Sequence, residues 1–347
     1  MSERQAARAV LMVRPAQFGS NAETAGSNFF QRPATAMDGG SAANAGEGMD
    51  ARGRATQGAV AGSNSRPHAA GEAARRAQHE FDALALALAG AGVRVLEFEG
   101  QRGAGLPDEV FPNNWLSLHA DGTAVLYPML APSRRRERRR DILDALVDSY
   151  GYRIDRVVDL TSLEARGEYL EGTGSVALDR VAHVAYACLS PRTHLRALGE
   201  LARALHYDVV PFTAVDSQRR PIYHTNVMLS VGTRFAALCS AAVADTAERR
   251  NVVARLEESG REIIDLSPEE LEGFACNLLE LDGAGGPVIA LSAAALRALA
   301  APTRGALERH GQLVMADIAT IERLGGGSVR CMLAEVALPR RDQSAGG

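Results

Sequence analysis

The sequence predicts an α/β fold built from repeated modules around an axis. Three observations predict it: short apolar runs suited to strands, turn signals that fold neighbouring runs into hairpins, and helical stretches between the hairpins. Taken in order, VLMVR from Val10 is a short apolar run that suits a buried strand. Gly71 to Leu88 is Ala-rich with helical spacing, and VRVLEF from Val93 is a strand. WLSLHADGTAVLYP from Trp115 reads as two strands around Asp121-Gly122, a pair that tolerates the backbone a tight hairpin needs. Arg138 to Asp148 is a helix, amphipathic from Asp141 to Val147. VALDRVAHVAYA from Val176 is a second hairpin, turning at Asp179-Arg180; the helix Arg192 to Leu205 and the strand YDVVPF follow. NVMLSVGTRFAALC from Asn226 is a third hairpin with Gly232 near its turn, followed by a helix from Ala247 to Glu258 and the strand REIIDL. NLLEL and PVIAL make a fourth pair, and helices run on to His310. Hairpin, helix and strand thus recur roughly every 60 residues, which signals repeated modules. A doubly wound parallel sheet would not need so many hairpins.

One segment falls outside the pattern. Arg32 to His68 lacks Leu, Ile, Phe, Tyr and Trp. Such a stretch cannot bury enough apolar surface to offset its ordering entropy. It is expected to be a disordered insertion (32–68) in a single catalytic domain spanning 1–347.

The bulk numbers exclude several functions. With 347 residues, 46% hydrophobic and 23% charged, the chain can bury a sizeable core. A net charge of −4 and a pI near 6.1 argue against a nucleic-acid partner held by a global basic field. The 4 cysteines, Cys188, Cys239, Cys276 and Cys331, are widely spaced, with no CxxC and no His at metal-ligand spacing. Neither a metal site nor a disulfide framework is expected. No GxGxxG follows the first strand and no GxxxxGK[ST] occurs, so nucleotide binding has no motif support. The N-terminus has no long apolar h-region, and the run from Phe81 is too short to cross a bilayer. A cytoplasmic protein without a membrane partner is expected; homo-oligomerisation is left open.

Four polar stations sit in loops beside expected strands: LPDEVFPNNW (Leu106 to Trp115), YLEGTGS (Tyr169 to Ser175), YHTNVML (Tyr223 to Leu229) and GGGSVRCML (Gly325 to Leu333). Cys331 follows a glycine-rich loop and sits beside Arg330, where a cation would favour the nucleophilic thiolate. His224 is a candidate acid/base, since its ordinary pKa lies near neutrality. Asp108 and Glu171 are carboxylates able to grip substrate N–H groups or to orient the histidine. Each residue also has a plainer reading. Cys188, Cys239 and Cys276 are expected to be small core hydrophobes. The run RRRERRR from Arg134 reads most simply as a solvated helix start.

At these stations the sequence resembles a known family over nearly its whole length outside the insertion. RPAQFGSNAETAGSNFFQ at Arg14, FPNNW at Phe111, YPMLAPSRRRER at Tyr127, LEGTGS at Leu170, LSPRT at Leu189, YHTNVM at Tyr223 and GGGSVRCMLAE at Gly325 look like the citrulline-utilisation hydrolases. That group belongs to the amidinotransferase and arginine deiminase superfamily. The resemblance implies a five-bladed pseudo-symmetric α/β propeller, pentein-like, with the active site in a central channel. It implies that Cys331 is the nucleophile, that His224 is the general acid/base, and that Glu171 is the carboxylate of an LEGGD-like motif. LEGTGS departs from that motif after its first Gly. Asp108 is similar to a substrate-contacting Asp of the dimethylargininases. Arg134 and Arg192 match arginines that hold the substrate carboxylate. No metal or organic cofactor is implied.

Two departures bear on the substrate. Arginine deiminases carry an Asp at the positions of Asn114 and Asn226; here both are neutral amides. A buried guanidinium without carboxylate partners loses hydration uncompensated. A neutral ureido group suits Asn, which both donates and accepts. The expected reaction is therefore citrulline to ornithine, ammonia and carbon dioxide through a covalent adduct on Cys331. The alternatives are an arginine deiminase or dimethylarginine dimethylaminohydrolase, and, from another class, a catalytically inactive amino-acid sensor or scaffold.

Overall fold

The computed structural model describes residues 3–32 and 65–341, with side chains of 65–70 left aside. Among these residues the strands form five separate three-stranded sheets rather than one continuous sheet. The first strand, β1 (Ala9–Arg14), runs parallel to β2 (Arg94–Glu99). Next come β3 (Leu116–Leu118), β4 (Thr123–Leu126) and β5 (Arg156–Asp159). The third sheet holds β6 (Ala177–Asp179), β7 (Val184–Cys188) and β8 (Asp208–Phe212). The fourth holds β9 (Leu229–Val231), β10 (Phe235–Leu238) and β11 (Glu262–Asp265). The fifth holds β12 (Leu279–Gly283), β13 (Gly286–Ser292) and β14 (Gln312–Ala316). Last, β15 (Ala334–Glu335) pairs antiparallel with β1 and completes the first sheet from the other end of the chain. Every sheet thus has one plan: a short first strand, an antiparallel partner, and a parallel third strand reached through a helix.

Local chemistry explains the plan. At the β3–β4 hairpin Gly122 takes a φ of +83°, and Asp121 Oδ1 accepts from Thr123 N at 2.9 Å. The crossover helix Leu195–Leu205 buries Ala197, Leu198, Leu201 and Leu205 on one face. Burying a Leu is worth about 1.5–3 kcal/mol, which holds such a short helix on its sheet. The crossover helix Thr246–Glu258 starts at Asp245, whose side chain accepts from Ala247 N and Glu248 N. Neighbouring sheets touch at their first strands. Leu118 bridges to Val336, Ala7 bridges to Leu281, and Gln5 Nε2 donates to both Leu178 O and Val231 O.

The expected hairpins are all present. Helix starts differ in four places, by one residue at Thr246 and by two or more at the others. The helix expected at Arg192 begins at Leu195, because Pro191 to His194 form a turn that hands Arg192 to the cleft described below. The helix expected from Arg138 begins at Arg140. The helix expected from Gly71 is Ser65–Gly90, so positions 65–68 of the expected insertion are helical. The remainder of that expectation, 33–64, lies outside the described residues. The basic run is not simply a solvated helix start. A four-residue helix, Pro132–Arg135, carries Arg134 inward, and Arg134 is only 2% exposed.

Candidate active site

The turns that enter the first strands carry the polar stations, and they converge on one narrow cleft. Its walls include Asp108, Asn114, Arg134, Arg192, His224 and Cys331. Glu171 and Asn226 stand immediately behind them, bonded to His224 and Cys331 respectively. The structure therefore brings together every site residue expected from the sequence.

Glycines make the approach of the turns possible. Gly172 has a φ of +49°, and a Cβ there would run into Asn113 O. A Cβ on Gly174 would collide with Asn114 Nδ2 and the His224 ring. The short helix Gly172–Ser175 can thus pack between the turn Pro112–Asn114 and the turn Thr225–Val227.

Around the nucleophile candidate, Asn226 Nδ2 and Asn277 Nδ2 each donate to Cys331 Sγ at 3.4 Å. Arg330 acts on Cys331 through its charge and not through a hydrogen bond to the sulfur. Its guanidinium turns away to Glu335 Oε2 at 2.8 Å and Leu333 O at 2.9 Å. The direct polar contacts of the sulfur are neutral amides, two N–H donors and the Asn277 oxygen at 3.8 Å, while the Arg330 charge acts on it from its pairing with Glu335. Cys188, Cys239 and Cys276 behave as expected of core residues. All are fully buried, and burial pushes Cys188 up to about 12 and Cys239 up to about 11.

The histidine is held by a carboxylate. His224 Nε2 donates to Glu171 Oε2 at 2.9 Å, which leaves Nδ1 as the unprotonated nitrogen of the neutral ring. Burial pushes His224 down to about 4, and Glu171 only partly reverses this. Burial would raise Glu171, but Arg192, His224 and Arg134 outweigh it and hold the carboxylate below its usual range.

Both arginines are anchored. Arg192 donates to Ser27 Oγ at 2.7 Å, to Thr24 O at 3.1 Å and to Glu171 Oε2 at 3.4 Å, with its guanidinium 5.0 Å over the Tyr223 ring. Arg134 donates to Glu137 Oε2 at 2.9 Å and to Asn114 Oδ1 at 2.8 Å. Asn114 is consequently not a free ureido acceptor: its oxygen faces Arg134, and its Nδ2 donates to Glu171 O at 3.4 Å. Two acceptors do stay open. Asp108 takes Asn21 Nδ2 on Oδ2 at 2.8 Å, yet Asp108 Oδ1 and Asn226 Oδ1 are buried without a hydrogen-bond partner. Burial pushes Asp108 upward, against Arg134 and Asn21.

Sequence reasoning missed Glu137, Asn277 and the segment from Asn21 to Asn28. Glu137 and the N-terminal segment lay inside quoted motifs, RRRER and GSNAETAGSN, but no role was read from them. Asn28 Nδ2 donates to Gly325 O at 3.1 Å, so this segment lies across the glycine-rich loop at the cleft. Among the described residues no group of three or more His, Cys, Asp or Glu could hold a metal ion. No helix there is long and apolar enough to cross a membrane.

Five three-stranded mixed sheets and a cleft holding a Cys, a His and carboxylates go with one class: an enzyme that hydrolyses non-peptide C–N bonds. The family described as eukaryotic N,N dimethylarginine dimethylhydrolase matches residues 55–338, and the chain belongs to that family, within the pentein amidinotransferase-like superfamily. A comparison with curated proteins finds no match. Among solved structures, the N-terminal domain of ArgZ, an arginine dihydrolase from the ornithine-ammonia cycle in Cyanobacteria, was determined bound to substrate. It superposes with a TM-score of 0.65 at 17% identity, over 95% of this chain and 98% of that one. AgrE in complex with L-arginine gives 0.65 at 18% identity, over 96% of this chain and 41% of that one. A dimethylarginine dimethylaminohydrolase adduct with 4-chloro-2-hydroxymethylpyridine gives 0.54 at 19%, over 75% and 91%. At these identities the likeness is one of fold.

Proposed function

We propose that the protein hydrolyses the ureido or guanidino carbon of an arginine-derived amino acid through a covalent adduct on Cys331, with citrulline as the substrate. The observation that carries this reading is the setting of the sulfur. Sγ lies between two amide donors in the cleft that also holds the His224–Glu171 pair. A neutral His224 is the form able to take the thiol proton as the S–C bond forms. The C–NH2 bond then breaks, and the same proton leaves with ammonia. Water, deprotonated by His224, attacks the thiocarbamoyl carbon; the S–C bond breaks and the sulfur leaves as thiolate. The carbamic acid formed on the ornithine nitrogen passes its proton to that nitrogen as the N–C bond breaks and carbon dioxide leaves, and the proton on His224 returns to the thiolate. One water is consumed, and ornithine, ammonia and carbon dioxide are formed.

Glu171 stabilises the imidazolium between these steps, and the two arginines keep Glu171 ionised. Asp108 Oδ1, on the cleft wall, is the open acceptor for a substrate N–H group. Arg192, which faces a single carboxylate, is the arginine placed to hold the substrate carboxylate. Arg134 is nearly saturated and holds the frame in place. The common plan of the five sheets and the contacts between their first strands support a five-bladed propeller closed around a channel, with the cleft at one mouth. The chain 1–347 would then be one catalytic unit, working in the cytoplasm on a small amino acid.

A second reading, arginine as substrate, rests on charge. In the cleft two guanidiniums face Asp108, Glu137 and Glu171, and burial pushes Asp108 and Glu137 upward despite them. A cation entering beside Asp108 Oδ1 would relieve that shortage of positive charge, as it would in an arginine dihydrolase or a dimethylaminohydrolase. Ammonia and ornithine release from citrulline, arginine and dimethylarginine, measured in parallel beside Cys331→Ala, tests both readings. Citrulline turnover that vanishes in the variant is the expected result. Faster turnover of arginine would replace the first reading with the second.

A further inference from the structure

We infer that Asn277 is a positioning residue for the nucleophile, aiming the Cys331 sulfur and stabilising its thiolate. The inference rests on the reading of Cys331 as the nucleophile and deepens it. It begins with the repeat. Each of the five sheets opens with a short first strand, and the turn entering it carries polar groups to the cleft: Asn114 before β3, Glu171 before β6, His224 and Asn226 before β9, Cys331 before β15. The turn before β12 is the remaining one, and it carries Asn277. FPNNWL, Phe111 to Leu116, and FACNLL, Phe274 to Leu279, share their phase: each places a Phe, then an Asn three residues on, then the first strand residue two further. Asn277 therefore stands where Asn114 stands in its own sheet.

The bonds show what this position does. Asn277 is completely buried. Its Nδ2 donates to Cys331 Sγ at 3.4 Å and to Asn226 O at 2.9 Å, while its Oδ1 accepts from Arg330 N at 3.0 Å. One buried amide thus ties together the backbone N–H just before Cys331, the sulfur itself and the turn that carries Asn226. Asn226 adds a second N–H from its own side chain. A thiolate held by two fixed donors needs little reorganisation when charge moves onto or off the sulfur. The charged and titratable groups around Cys331 make these donors matter. Tyr223, His224, Arg192, Arg134 and Asp108 line the cleft with it: Tyr223 has its phenol on Gly326 O and burial holds it protonated, Arg192 bonds Glu171 and Ser27, Arg134 bonds Glu137 and Asn114, and Asp108 accepts from Asn21. Arg330, the nearest cation in sequence, is bound to Glu335 and acts on the sulfur only through space. Neutral amides are left as the direct donors to the sulfur.

The test is the pH dependence of iodoacetamide alkylation at each cysteine of the full chain, read by peptide mass spectrometry in wild type, Asn277→Ala and Asn277→Asp. The Ala variant removes the donor. The Asp variant keeps the shape and replaces the donor with an acceptor. The expected result is a profile for Cys331 shifted to higher pH, with a rate at pH 7 lowered about tenfold in Asn277→Ala, the scale of one hydrogen bond to a charged group, and further in Asn277→Asp. Profiles identical to wild type in both variants, or loss of the fold in both, would overturn the inference and leave Asn277 a packing residue. If wild-type Cys331 reacts no faster than Cys188, Cys239 and Cys276, the nucleophile assignment fails instead, which separates the two claims.

Discussion

The two ends of the first strands are built from similar residues to opposite effect. At the entry end Arg134 and Arg192 are buried, each with side-chain exposure of 3%, among Asp108, Glu137 and Glu171. At the hairpin end a wide concavity is lined by Arg4, Arg8, Arg94, Arg153, Arg180 and Arg340, with Asp282 the one acid among them. There, Arg4 and Arg8 are 67% and 72% exposed, and both reach Asp282. The difference lies in the surroundings. Out of water, a guanidinium's position is set by its carboxylates and it sets their ionisation in turn; in water the same ion pair is weak and screened. At the entry end the buried groups hold His224 neutral; at the hairpin end only Arg180, 1% exposed and paired to Glu335, is buried enough to act in the same way, on its neighbour His119.

Several experiments would break or sharpen this contrast. Largest in effect, Glu171→Gln removes the partner of His224, and turnover should fall by about 10²–10⁴-fold with the fold intact; unchanged kcat would remove Glu171 from the mechanism. Next, Arg134→Ala leaves Glu137 and Asp108 buried without their guanidinium, at a cost of about 3–5 kcal/mol in denaturant unfolding. Adding Glu137→Gln should recover part of that loss, because the two residues are one ion pair. Third is the acid limb of stability. His224 is pushed down to about 4 by burial, so between the ordinary value of 6.5 and about 4 the unfolded chain binds a proton that the folded chain refuses. Stability should decline across that window, and His224→Gln should remove this part of the decline. Glu171, held low, adds a further loss only below its own ordinary value of 4.5. Smallest, Arg8→Ala at the hairpin end should leave the denaturation midpoint within error, at low and at high salt alike. A large shift there would mean that the two ends are not so different.

Much of the fold was legible because hairpin turns and amphipathic helices are local signals. Asp121-Gly122 marks a turn whatever lies around it, and the alternation of Leu198 and Leu201 with polar neighbours marks a buried face. The stations that meet in the cleft were legible as motifs. Their partners were less so, because partnership is a property of packing. Arg330 sits beside Cys331 in sequence but points to Glu335, while Asn277 touches the sulfur from a turn more than fifty residues away. Arg134 looked solvated because its run is charged; Glu137, three residues on, is a local partner, but nothing local says that Asn114 will close over it. Asn114 looked like a substrate contact because its amide is neutral, and only the fold shows that its oxygen is already engaged. The phase shared by FPNNWL and FACNLL was the one sequence signal that pointed to Asn277.

The covalent step is the centre of the account, and it is open to direct measurement. Protein mixed with saturating citrulline or arginine, quenched in acid during turnover and digested, should carry a substrate-derived mass on the peptide containing Cys331. The same treatment of Cys331→Ala should give neither the adduct nor ammonia. Ammonia release undiminished in Cys331→Ala, or an adduct on any other cysteine, would contradict it.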